Sequence, residues 1–150
     1  MKDTPVENQE QLSDEEQRLA LAAQWFNQQS QKATSYLAQK GVVVETVFNE
    51  ECTYVAPLFA IFKIRDKERK KYWVIAGDLP TDFATDNVAK DAKNAIRHFS
   101  LQWQMRAENM IRVGIKDTVQ RDFAQMLVTK AEAIYPFVES EALWKKQQGA

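Results

Sequence analysis

The sequence is poor in the residues that small enzymes most often use. Of its 150 residues one is cysteine (Cys52), one is histidine (His98) and four are glycine. A single cysteine excludes an intrachain disulfide. Together with one histidine it falls short of the four ligands a structural zinc site takes. Such cysteine usage suits a reducing compartment, so a cytoplasmic location is expected. Gly41, Gly77, Gly114 and Gly149 stand apart from one another. None pairs at phosphate-loop or dinucleotide spacing, so no nucleotide cofactor is expected. The longest apolar run, "VAPLFAIF" from Val55 to Phe62, is far shorter than the ~20 residues that span a bilayer. The opening "MKDTPVENQEQLSDEEQ" has no apolar core of the kind a secretory signal needs. No membrane association is expected. Charge of one sign is missing too: 20 Lys and Arg face 21 Asp and Glu, for a net charge of −1. That balance demands neither nucleic acid nor a charged surface as partner.

What is present is a good core. Hydrophobic residues make up 45% and aromatic residues 11%, including four tryptophans. The length suits one domain. Residues 1–12 are polar, acidic and aperiodic, and read as a disordered lead-in to a globular domain over 13–146, with a frayed tail at 147–150. Ser13-Asp14-Glu15-Glu16 fits a capping box. It predicts a long helix from Asp14 to Lys40, closed by Gly41, with Leu19, Ala22, Phe26, Ala33 and Leu37 on one buried stripe. Three β-rich stretches follow: "VVVETVFN", "TYVAPLFAIFKIR" and "KKYWVIAG". Short links between them predict a three-stranded antiparallel meander. Alternation places Ala60, Phe62 and Ile64 on one face with Phe59 and Ile61 opposite. It likewise sets Tyr72, Val74 and Ala76 against Trp73 and Ile75. Both faces carry apolar residues, so the sheet is expected to be covered on most of its area, with helices on at least one face. A helix beginning at Thr85 or Asp86 then carries Val88, Ala92, Ala95, Phe99 and Trp103 inward. Another begins at Asp117 with Val119, Phe123 and Leu127 inward, and a last one begins near Pro136. The order α-β-β-β-α-α-α, in blocks rather than alternating, is the α+β class, with two to three C-terminal helices packed on the sheet.

Three features carry candidate chemistry. Asp78 and Asp82 follow the third strand in "GDLPTD". Paired carboxylates suit a hard cation or split acid and base roles, and with His98 they would make a small metal-dependent hydrolase. The same residues also build a turn: Asp78 as an Asx-turn, Pro80 fixing one dihedral, Asp82 approaching a helix start. The turn is the expected reading, no metal set is complete, and no catalytic residue is assigned. Cys52 is expected to be a small packed residue, and His98 a histidine on the flanking face of its helix without a chemical role. The segment 63–71, "KIRDKERKK", sets six cations against Asp66 and Glu68 beside Tyr72 and Trp73. It is the feature a nucleic-acid binder would use. The bland alternative, a solvated turn, is expected, because residues 1–18 balance it with six acids against two cations. Finally, "HFSLQWQMRAENM" is apolar over more than one face of its helix, with Leu101 and Met105 off the main stripe. A helix of that kind meets more than one neighbour.

The stretches "YWVIAGDLPTD" (72–82) and "AIRHFSLQWQMRAENM" (95–110), with the overall length, resemble a small family of uncharacterised, mainly proteobacterial proteins carrying a domain of unknown function. The resemblance spans nearly the whole chain. It implies a single-domain bacterial cytoplasmic protein and brings no activity, cofactor or site residue. The expected function is a non-enzymatic protein-binding or adaptor role, through a partner or self-association. Its expected surface is Trp73, Leu79, Leu101 and Met105, on the second helix and the sheet end near Gly77.

Overall fold

The computed structural model describes residues 13–148. The expected lead-in, 1–12, and residues 149 and 150 lie outside them. Helix α1 runs Asp14–Gln39, and Ser13 and Glu16 cap it reciprocally. Five strands follow: β1 (Val44–Val47), β2 (Thr53–Val55), β3 (Phe59–Asp66), β4 (Lys71–Gly77) and β5 (Asp82–Thr85). All pairings are antiparallel.

Two strands are therefore added to the expected three. The stretch 53–65 is a hairpin rather than one strand. Pro57 has no N–H for a ladder, and the chain turns there, with the Leu58 N–H donating to the Val55 carbonyl. β1 and β2 both pair with β3, on the edge that β4 does not occupy. A short 3-10 turn, Asn49–Glu51, separates them. Together they form one interrupted edge strand. The other edge is β5, which pairs Asp82 with Ile75 and Thr85 with Tyr72.

The strand faces follow the alternation in the sequence. α1 covers Ala60, Phe62, Ile64, Tyr72, Val74 and Ala76 with Ala33 and Leu37. The opposite face, Phe59, Ile61, Trp73 and Ile75, is covered by α2 (Ala92–Val113) and α3 (Thr118–Val138). The result is three layers with a core on each side of the sheet. α2 starts later than expected. Thr85 still belongs to β5, Asp86–Val88 is a 3-10 turn, and Asp91 is the cap, accepting from the Asn94 N–H at 2.9 Å. Asp117 caps α3 as expected, through the Gln120 N–H. Pro136 does not open a new helix but sits in the last turn of α3. The last helix, α4 (Glu141–Gln148), extends two residues past the expected end of the domain. It is docked by the Trp144 indole, which donates to the Phe137 carbonyl at 2.7 Å. Leu19, Val88 and Val119, expected on buried stripes, are exposed. Leu19 and Val119 lie where their helices extend past the layers beneath them, and Val88 lies on the 3-10 turn.

Candidate functional site

Two buried tryptophans pin the segment from β5 to α2. Trp103 of α2 donates its indole N–H to Asp82 Oδ2 at 3.0 Å. Trp73 of β4 donates to the Ala89 carbonyl at 2.9 Å. The segment between these anchors runs beside α2, and a groove lies between them. It has two chambers that share His98. One, of about 430 Å³, is lined by Asp82, Phe83, Gln102, Met105 and Arg106 among others. The second, of about 470 Å³, is lined by Asn87, Lys90, Asn94, Arg97 and Leu101 among others. On α2 the lining residues Asn94, Arg97, His98, Leu101, Gln102, Met105 and Arg106 recur at three- and four-residue spacing. They form one stripe, ~18 Å long at 1.5 Å per residue.

The stripe is cationic. Among the described residues, Lys90, Arg97 and Arg106 have no carboxylate within ion-pair distance. Arg106 also lies over the Phe123 ring, 5.1 Å from its centroid. Among the described residues Asp82 is the one acid lining the two chambers, and both its oxygens accept hydrogen bonds: Oδ1 from the Phe83 N–H at 2.8 Å, Oδ2 from Trp103. Burial lowers the His98 pKa from its ordinary 6.5, while Asp82 pulls it back up. The ring is accordingly neutral at pH 7. Burial raises the Tyr36 phenol, Asp82 raises it further, and Arg106 opposes.

The structure brings Asp82 and His98 to one chamber but leaves Asp78 out of both. The Asp78 side chain is 79% exposed and pairs with Lys130 of α3 at 3.6 Å. Its N–H donates to the Leu58 carbonyl, holding the turn after β4. Among the described residues, no three His, Cys, Asp or Glu side chains gather as a metal cage would require. Cys52 is buried, its thiol donating to the Phe48 carbonyl at 3.3 Å, and burial pushes its pKa to about 11. The expected surface needs correction. Trp73 and Leu79 are buried in the core on the α2 side, because inward alternation and the turn at Pro80 point them there. Leu101 and Met105 are exposed and line the groove.

The basic segment is partly consumed by structure. Lys63 is buried beside Glu51 (3.5 Å) and Asp86 (3.8 Å), its ammonium 4.5 Å from the Trp73 ring centroid. Arg65 pairs with Glu45 at 3.1 Å. Asp66 is buried and accepts from the Glu68 and Lys70 N–H groups and from the Tyr72 hydroxyl. Lys67, Arg69, Lys70 and Lys71 remain exposed at the β3–β4 turn.

Sequence reasoning missed Arg97, Gln102 and Arg106. Their signal was the polar half of the 94–106 spacing, visible only once the buried half is known.

The model of one protein family, described as a domain of unknown function (DUF4826), matches residues 19–144. Neither a curated protein nor a solved structure matches the chain. No helix among the described residues is long and apolar enough to cross a membrane.

Proposed function

We propose that this chain, which belongs to the DUF4826 family of domains of unknown function, is a non-enzymatic protein-binding module whose docking site is the groove beside α2. The occupant is an extended, acidic segment of a partner protein. One observation carries the reading: Lys90, Arg97 and Arg106 line the groove without carboxylate partners among the described residues, beside two exposed apolar side chains, Leu101 and Met105. A stripe of ~18 Å accommodates about five residues of extended chain at ~3.3 Å each. Carboxylates on such a segment would meet the cations, and an apolar residue would sit against Leu101 or Met105. The groove's side-chain amides, Asn87, Asn94 and Gln102, suit main-chain groups. The bacterial cytoplasm implied by the resemblance belongs to this proposal, and the buried, protonated thiol of Cys52 is compatible with it.

The test is fluorescence anisotropy with labelled random hexapeptides, one pool rich in Asp and Glu, one with Asn and Gln in their place. The acidic pool binds more tightly, its affinity falls with salt, and Arg97→Ala/Arg106→Ala weakens it by about 10-fold. Equal affinity for both pools would remove the proposal. Tighter binding of single-stranded DNA, abolished by substitutions at Lys67, Arg69 and Lys70, would transfer it to the β3–β4 turn.

A further inference from the structure

Helix α1 outruns the sheet. It crosses from β2, where Trp25 and Phe26 stack on Tyr54 at centroid distances of 6.3 and 4.6 Å, towards β5, where Tyr36 meets Phe83 at 6.0 Å. β2 is an edge strand, so the residues before Trp25 lie beyond the sheet. From Asp14 to Gln24 all are exposed except half-buried Ala22. Leu19 and Leu21 are 63% and 66% exposed there. The α2–α3 turn is apolar in the same way: Ile111, Val113, Ile115 and Val119 are exposed, the two valines at 74% and 76%. Six of the eleven exposed large hydrophobics among the described residues therefore fall in these two segments, which marks them as the surfaces most in need of cover.

The two segments are complementary in charge. The overhang sets Asp14, Glu15 and Glu16 against Arg18. The turn region 111–122 sets Arg112, Lys116 and Arg121 against Asp122 and Asp117, whose carboxylate already caps α3. They belong to the two outer layers, with the sheet between. We infer that the α1 overhang of one copy docks on the α2–α3 turn of a second copy, Leu19 meeting Val113 and Val119. Two equivalent contacts about a two-fold axis close the pair into a dimer. This surface shares no residue with the groove, so the inference stands or falls apart from the proposed function.

The experiment uses the full chain and multi-angle light scattering. Wild type runs at twice the chain mass at about 100 μM. Leu19→Asp/Leu21→Asp and Val113→Asp/Val119→Asp each run as monomers, because a carboxylate carried into an apolar contact weakens it by at least about 100-fold. Mixing the two variants rebuilds one of the two contacts, an intact overhang on an intact turn, so the mixture runs above the mass of either variant alone. Circular dichroism melts confirm that both fold, and serine at the same positions replaces aspartate if one does not. A monomeric wild type overturns the inference. So does a dimer that survives either double variant.

Discussion

Removing the Asp82 carboxylate would strand the indole N–H of Trp103, a side chain only 1% exposed. A buried donor left without a partner costs about 1–3 kcal/mol, so Asp82→Ala should lower stability in urea by that amount. Asp82→Asn keeps one acceptor oxygen, for the Trp103 indole, but sets its amide against the Phe83 N–H, so it should cost less than Asp82→Ala without being neutral. Asp78→Asn should change stability by no more than about 0.5 kcal/mol, because its carboxylate makes only an exposed pair with Lys130. A larger loss at Asp78 than at Asp82 would reverse their roles. His98 reports on the same neighbourhood. Its folded pKa lies below the unfolded 6.5, so the unfolded chain takes up the proton first. Its contribution to stability is full above about pH 6.5 and falls as the pH drops below that value. As the one histidine, it gives an unambiguous NMR titration. Asp82→Asn removes the influence that raises its pKa, and the midpoint should move lower; an unmoved midpoint would mean the ring does not feel Asp82. Cys52 should be nearly silent. With a pKa of about 11 its thiolate is scarce at pH 8. Its reaction with a disulfide reagent should run on the order of 100-fold slower in the folded protein than in urea.

The end of β4 leaves no room for a side chain. Gly77 pairs with Phe59 and takes a φ of +135°. A Cβ there would run into the Leu58 carbonyl oxygen and lie 2.8 Å from Phe59 Cα, both main-chain atoms that cannot swing aside. Lys32 of α1 donates to the Gly77 carbonyl at 3.2 Å, tying this corner to the opposite layer. Gly77→Ala should therefore destabilise by at least about 3 kcal/mol, or leave no folded protein on expression. A melting temperature within a few degrees of wild type would contradict the geometry. Here the sequence was legible: the strand run stops at a glycine that had to be one. It was less legible on both sides. β5 was hidden because Asp82–Thr85 is short and half polar, and forms only because β4 offers it an edge. The hairpin at Pro57 was hidden because β2 and β3 read as one apolar run. The start of α2 was misplaced because Asp86 and Asp91 are equally good caps on paper. The choice went to Asp91 once Asp86–Val88 turned under Trp73's hold on Ala89.

At the scale of the molecule, the period-two pattern of β3 and β4 pointed to a sheet covered on most of its area, since both faces were apolar, but not to which helix lies on which face. The groove was not contained in it. Asp82 and His98 are sixteen positions apart, and only the path of β5 alongside α2 brings them to one chamber. Nor could a stripe of apolar residues reveal that α1 is longer than the sheet is wide, which is why Leu19 is exposed. The sheet divides the core, Leu37 being fully buried on one side and Leu127 on the other. Leu37→Ala and Leu127→Ala should each cost about 2–5 kcal/mol through lost burial and a cavity. They share no cluster, so the double variant should lose the sum of the two within about 0.5 kcal/mol. The sheet is common to both cores, so unfolding should remain a single transition with an unchanged urea slope in each single variant. If α1 instead melted away on its own, Leu37→Ala would show a smaller slope and a second transition, and the double variant would fall short of additivity. Intact additivity with one slope would show that the central sheet makes the two cores fail together.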